Sequence, residues 1–401
     1  MLNQLEQLIA KMCPDGVEYK SLKDVATLSD GYPFTSKEFN KKGNYPIIKI
    51  SEIKNGEIIL GKDFASEIPS KMKQSSLLKG DEILVAESGS TGKTGFNTIK
   101  NAIVNQRIGI IRNKPYILCL FLKHVLVNKN FENYCFSHGT GPQHNLSKFD
   151  LLNYKIPFPP LPIQQAIVDI LDSFTELTTE LTTELTIRQK QYAYYRDLLL
   201  DPERSPVMQE MCPEGVSTVM VKDIVPVNVG KRLTKKQLSD NYQYEVFHGS
   251  KDTVLGYYNA FNIPAGTTIV VNTGGIGGVK YLNKPAWCSD GSFWLGKSNR
   301  INDKYLYYAL SINEEYFASQ KREGGVPTIE RVVVEDLQIP LPPLPVQERI
   351  VAILDNLDAL CNDLTSGLPA EIFARKKQYE YYRDQLLNFE KLQNAKLNPA
   401  A

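Results

Sequence analysis

Histidine and tryptophan are scarce in this chain, with four and two copies in 401 residues, and its six cysteines show no paired spacing. That pattern gives neither a zinc site nor a disulfide framework. Cys13 and Cys212 instead stand at matching points of two repeated openers, a structural placement. His124, His138, His144 and His248 have no ligand spacing, so no metal is expected. No stretch approaches the roughly 18 to 20 uninterrupted apolar residues of a membrane span. Met1–Met12 also lacks the basic start and apolar run of a signal peptide, so the expectation is a cytoplasmic protein with no membrane partner. Neither a D/N-P-P-Y/F methyltransferase core nor a nuclease cluster is present.

Excess charge is lacking too: the net value is +1. Its distribution is more informative. Glu18–Lys155 carries 20 Lys and Arg against 13 Asp and Glu, Ser217–Gln338 carries 14 against 12, and the remainder carries 12 against 20. Two segments are thus net positive within a negative frame. Such segments suit a phosphate backbone while the frame faces solvent or a protein.

What the chain has in abundance is itself. IPFPPLPIQQAIVDILD at Ile156–Asp172 returns as IPLPPLPVQERIVAILD at Ile339–Asp355, identical at 12 of 17 positions. RQKQYAYYRDLLL from Arg188 returns as RKKQYEYYRDQLL from Arg375, identical at 10 of 13 positions. MCPDGV at Met12 and MCPEGV at Met211 open the two halves. Two similar frames therefore carry two dissimilar inserts, and the expected domains are 1–155, a proline hinge and helix over 156–200, 201–338, and a second hinge and helix over 339–401. This architecture presents two different binding surfaces on one frame.

Each hinge predicts a long helix beyond its prolines. Ile163, Ile167, Ile170, Phe174, Leu177 and Leu181 fall at the 4-3 spacing of a coiled-coil seam, as do Val346, Ile350, Ile353, Leu357, Leu360 and Leu364. Two such helices are expected to pack antiparallel, each about 38 residues or more and roughly 57 Å long. Helices packed separately on their own domains are the other reading. Within the first lies TELT three times over, Thr175–Thr186, where the Thr content weakens helix propensity so that tertiary packing must hold it. Between the matched blocks the first copy has 15 residues and the second 19, a difference of one four-residue unit. In the second copy, Gly367 and Pro369 predict a kink or break. The inserts read as mixed α/β, with strands at Tyr45–Ile50, Glu82–Ala86, Ala102–Ile111 and Thr267–Asn272 and helices at Pro115–Asn130 and Asp303–Gln320.

The duplicated P-x-P-P-L-P-x-Q hinge, the paired I-x-x-I-L-D helices and their K-Q-Y-x-Y-Y-R-D continuations resemble the specificity subunits of type I restriction-modification enzymes over essentially the whole length. The TELT triplet resembles the tetrapeptide repeat of the type IC subgroup. The resemblance implies a mixed α/β fold with an internal pseudo-twofold repeat: two target recognition domains joined by two long antiparallel coiled-coil helices. It implies a non-catalytic subunit in which each variable domain reads one half of a split sequence in double-stranded DNA. The helices would set the spacing and dock two methyltransferase subunits, with restriction and translocase subunits joining the complex. S-adenosylmethionine and ATP would belong to those partners, leaving this chain without a cofactor of its own.

Candidate contacts follow from loop chemistry. ESGSTGKTG at Glu87–Gly95 has Glu where a phosphate-cradling loop needs Gly, and GGIGGVK at Gly274–Lys280 lacks the third glycine of a dinucleotide site. As DNA-contacting loops they offer Ser90, Thr91, Lys93 and Thr94 in the first domain and Asn272, Thr273 and Lys280 in the second. The segments before the hinges offer Gln143, His144 and Asn145, whose types pair with base edges, and Lys321, Arg322 and Arg331, suited to guanine or phosphate. Earlier segments supply Tyr32, Lys37, Lys231, Arg232, Lys235 and Lys236. For each group, tight turns or a solvated face are the plainer reading. Tyr192, Tyr195, Arg196, Tyr379, Tyr382 and Arg383 are candidates for docking the methyltransferase subunits, since Tyr and Arg favour interface cores.

Overall fold

A computed structural model describes residues 2–35, 38–54, 56–322, 327–363 and 365–391. The chain forms two compact units, Met1–Glu180 with Phe373–Ala401, and Leu181–Ile372. The unit boundaries cut through the helices rather than the hinges. Each unit contains one variable domain, its own hinge helix, and the K-Q-Y-x-Y-Y-R-D block of the other repeat.

The sheets of the two domains share one plan. In the first, the order Ala26–Asp30, Ile108–Asn113, Glu82–Ala86, Thr94–Asn97 continues to Gly56–Ile58 and Ile53–Lys54. In the second, Val227–Val229, Ser292–Leu295, Thr267–Val271 and Val279–Leu282 take the same places. The central strands Glu82–Ala86 and Thr267–Val271 are buried at all five positions, as the β-branched and apolar runs Ile83–Ala86 and Thr267–Val271 require, while Glu82 is buried against Arg112 at 3.2 Å and Asn97 at 2.9 Å. The expected strand Ala102–Ile111 is two strands, Lys100–Val104 and Ile108–Asn113, separated by a turn in which Arg107 has φ 68°. The expected helix Pro115–Asn130 is likewise divided, into Cys119–Leu126 and Lys129–His138, with Asn128 capping the second through Phe131 N–H at 2.9 Å.

The first hinge helix runs unbroken from Leu161 to Leu199, 39 residues. The second is broken, as Gly367 and Pro369 suggested, into Leu344–Asn362 and Leu368–Leu386. Both packing readings of these helices operate in different stretches. At the start of the first helix Ile163, Ile167, Val168, Ile170 and Leu171 are all buried, a stripe wider than a coiled-coil seam, and they join the core of the N-terminal domain. Further along no side chain is fully buried until Leu199; Leu177, Leu181 and Leu185 are half-buried, as are Phe174, Thr175, Thr178 and Arg188. In the second unit Tyr192 faces Asp358 and Arg188 faces Cys361, so the two helices run antiparallel.

The TELT threonines turn their hydroxyls back onto their own helix. Thr175, Thr178, Thr179 and Thr186 donate their hydroxyls to the carbonyls of Leu171, Phe174, Thr175 and Thr182 at 2.8–3.2 Å. The threonines thus satisfy their own side chains along the helix. Among the described residues no helix is long and apolar enough to cross a membrane.

Candidate nucleic-acid interface

In each domain three loop segments meet at the end of the central strand. The first crossing is made by a glycine: Gly31 N–H donates to Ile108 O at 3.1 Å and Tyr32 N–H to Val104 O at 2.7 Å. A Cβ on Gly31 would lie 2.0 Å from Asn105 O, so only glycine passes here. Gly230 does the same in the second domain, with a Cβ position 2.1 Å from Ser289 O. The glycine-rich loops follow. Gly92 N–H donates to Ala86 O and Gly277 N–H to Val271 O, both at 2.9 Å, and both glycines have positive φ. The segments before the hinges then lie alongside, through Leu146 N–H to Glu87 O at 2.9 Å and Ile329 N–H to Asn272 O at 3.0 Å. Loops far apart in sequence are therefore joined twice, in one geometry, by unrelated side chains.

The structure sorts the candidate residues into those that present and those that position. Ser90 and Gln143 are exposed, and Lys93 is half-buried. Thr91 and Thr94 are buried: their hydroxyls donate to His144 O and, at 3.1 Å, to Leu126 O. They tie loops together and have no hydrogen left to offer outward. The His144 ring stacks on Phe136 at 4.2 Å, and Asn145 pairs through its backbone with Thr140. Tyr32 is spent inside its loop, edge-on to Phe34 at 5.0 Å with its hydroxyl donating to Glu38 at 3.2 Å. Lys37 lies outside the described residues.

In the second domain Lys231, Arg232, Lys235 and Lys236 are exposed, and Arg232 comes within 4.0 Å of Asp290. Asn272 is buried, donating to Asp290 O at 3.1 Å and accepting from the Thr273 hydroxyl at 2.9 Å, so both ends of its amide are used. Thr273 also bridges to Thr328. Lys280 is turned inward as well, donating to Lys251 O at 2.8 Å beside the Phe247 ring. Lys321 is exposed, Arg322 pairs with Glu330 at 2.5 Å and Arg331 with Glu335 at 2.9 Å.

Sequence reasoning passed over the turn Asn105–Arg107, where Gln106 and Arg107 are exposed beside the glycine crossing. The signal was there: a polar triplet interrupting an apolar run. It also passed over Lys148, exposed and paired with Asp30 at 2.6 Å.

The tyrosine blocks divide by face. Tyr379 turns to the N-terminal domain, its hydroxyl 2.9 Å from His124 Nδ1, and Arg383 is buried, donating to Val127 O at 3.2 Å. Tyr382 stacks on Phe174 at 5.3 Å. In the other block Tyr192 packs half-buried against the second core, Arg196 pairs with Asp197 at 2.8 Å, and Tyr195 is 44% exposed. Tyr379, Tyr382, Arg383 and Tyr192 thus make contacts inside their own units, because the other repeat's block completes each unit. The outward aromatics are Tyr194, Tyr195 and Tyr381.

Two variable α/β domains with matching loop junctions, carried on paired helices, define a duplicated recognition protein. Its sequence matches the type I restriction modification DNA specificity domain over residues 14–189 and again over 213–374. The chain is 32% identical over 340 residues to a type I restriction enzyme specificity subunit of Haemophilus influenzae, covering 78% of this chain and 83% of that one. It is 34% identical over 285 residues to the EcoR124I/EcoR124II specificity subunit of Escherichia coli, covering 64% and 68%. Its fold resembles the crystal structure of the S subunit from M. genitalium with a TM-score of 0.59 at 17% identity, covering 93% of this chain and 96% of that one. The chain belongs to the specificity subunits of type I restriction-modification systems, and its function is to give such an enzyme its DNA sequence specificity.

Proposed function

We propose that each variable domain reads one half of a bipartite duplex target through its own three-loop junction, and that the helices set the distance between half-sites. The observation that supports this is the repetition of one backbone geometry with different side chains: constant backbone places the loops, and variable side chains choose the bases. The exposed cations Arg107 and Lys148 in one domain, and Lys231, Lys235 and Lys236 in the other, supply phosphate contacts that orient each domain without specifying sequence. Tyr194, Tyr195 and Tyr381 dock two methyltransferase subunits, and restriction subunits join through that complex. The chain itself carries no chemistry. It works in the cytoplasm, where its DNA lies.

The assembled complex with methyltransferase subunits should retard a duplex carrying both half-sites, and should lose that preference when either half is scrambled. A complex that binds scrambled and intact duplexes alike would make the chain a protein scaffold rather than a DNA reader.

A further inference from the structure

We propose that Glu87, His144 and Asn145 form a receptor for the exocyclic amino group of an adenine or cytosine, fixing one base of the half-site read by the N-terminal domain. This rests on the DNA-reading assignment and names the chemistry of one of its contacts. Among the described residues five buried side-chain polar atoms lack a hydrogen-bond partner, and three of them are Glu87 Oε1, His144 Nδ1 and Asn145 Oδ1. They belong to two segments locked together by Leu146 N–H to Glu87 O and Gly89 N–H to Gln143 O, both at 2.9 Å. Buried polar atoms almost always find partners, so three of them on two segments joined at this junction leave acceptor capacity unused.

The chemistry narrows the class. A carboxylate oxygen and an amide oxygen only accept, and the imidazole nitrogen can accept. A phosphate brings more acceptors and is excluded from such a floor. An amino group brings donors, and in the major groove those are adenine N6 and cytosine N4. The rim is of opposite character, with Arg107 and Lys148 exposed around it. Phosphates are thus drawn to the edge while a base edge enters the centre.

The backbone is prepared for this. Glu87 N–H is held by Arg107 O at 2.9 Å, and His144 takes φ 47°, a conformation costly for a non-glycine residue, while its ring is stacked on Phe136. Burial and the Asp30 carboxylate push the Glu87 carboxyl up to about 7, against the pull of Lys148 and Arg107. A bound amino group favours the ionised carboxylate, so binding at this point should release a proton near neutral pH. Among the described residues the matching junction of the second domain has no counterpart. Asn272 occupies the place of Glu87 with both ends of its amide used, and Pro327 occupies the place of His144.

The test uses the complex assembled with methyltransferase subunits and its own target, found by methylome sequencing. Each adenine of the N-terminal half-site is replaced by purine and each cytosine by 2-pyrimidinone, which lack the amino group. Wild type should lose about tenfold or more in affinity at one position. Glu87→Ala should show no further loss there, and neither protein should differ at the other half-site. Full discrimination retained by Glu87→Ala at every amino-bearing position overturns the inference. Should that variant fail to fold, Asn145→Ala carries the same comparison with Glu87 intact: reduced discrimination at that position supports the receptor and unchanged discrimination overturns it. A wild-type complex indifferent to all bases of this half-site would instead defeat the DNA-reading assignment.

Discussion

The Tyr379 hydroxyl lies 2.9 Å from Nδ1 of His124 and so fastens the last helix to a helix of the N-terminal domain. The other ring nitrogen, Nε2, lies 3.0 Å from Asp172 Oδ1. A neutral imidazole must then carry its hydrogen on Nε2, donate it to the carboxylate, and accept from the phenol at Nδ1. The second unit builds the same anchor differently: Tyr308, in the place of His124, donates directly to Asp355 at 2.7 Å, while Tyr192, in the place of Tyr379, faces Asp358.

Only the first anchor contains an imidazole. Burial holds the His124 imidazole below its ordinary range, against the hydrogen bond to Asp172. As pH falls the unfolded chain therefore takes up this proton before the folded one, and the stability carried by neutral His124 declines from about pH 6.5 downward. His124→Gln should show a smaller loss of melting temperature between about pH 8 and about pH 5 than wild type. Equal slopes for the two proteins in thermal unfolding would count against this assignment.

The hinge glutamines make a second prediction. Gln164 accepts from Leu118 N–H at 2.9 Å and donates to Pro159 O at 2.8 Å; Gln347 accepts from Asn302 N–H and donates to Pro342 O, both at 2.7 Å. Each is fully buried and joins a hinge to the first turn of a domain helix. Gln164→Leu or Gln347→Leu should cost about 1–3 kcal/mol each, the penalty for stranding a buried amide and carbonyl. The effects should add in the double variant because the two networks share no residue, which denaturant titration can check.

How much of this was legible in the sequence depends on what carried the signal. The repeated hinge, the break at Gly367 and the strand Glu82–Ala86 were legible because local chemistry determines them. The partition of the tyrosine blocks was not. Whether Tyr382 is covered depends on meeting Phe174, residues more than two hundred apart, while its counterpart Tyr195 has Leu357 in the place of that ring. The same holds for Thr91 and Thr94, which look like loop hydroxyls in sequence and become ties once Leu126 and His144 arrive beside them. Long-range pairing decides side-chain direction in such loops, and no local pattern records it.

Gly31 and Gly230 allow each domain to be disturbed alone. A methyl group at either would press on a backbone carbonyl, Asn105 O or Ser289 O, that cannot yield like a flexible side chain. Gly31→Ala should displace the Asn105–Arg107 turn and weaken discrimination at the first half-site only, and Gly230→Ala at the second only. Binding of the assembled complex to duplexes mutated in one half at a time would show it. A uniform loss at both halves would mean that these crossings support overall folding rather than local reading.

The TELT array gives the last prediction its number. One unit of four residues adds about 6 Å of rise and roughly 40° of rotation to a continuous helix, and Leu161–Leu199 is continuous through all three units. That rise is comparable with one to two base-pair steps along the duplex. The array lies outside both loop junctions, and its threonines bond their own helix rather than either domain's loops. Deleting one unit should therefore shorten the preferred gap between half-sites while leaving the bases of both halves unchanged. Methylome sequencing of cells carrying the shortened chain with its methyltransferase would report gap and bases together. Altered half-site bases with an unaltered gap would show that the helix does not measure the distance.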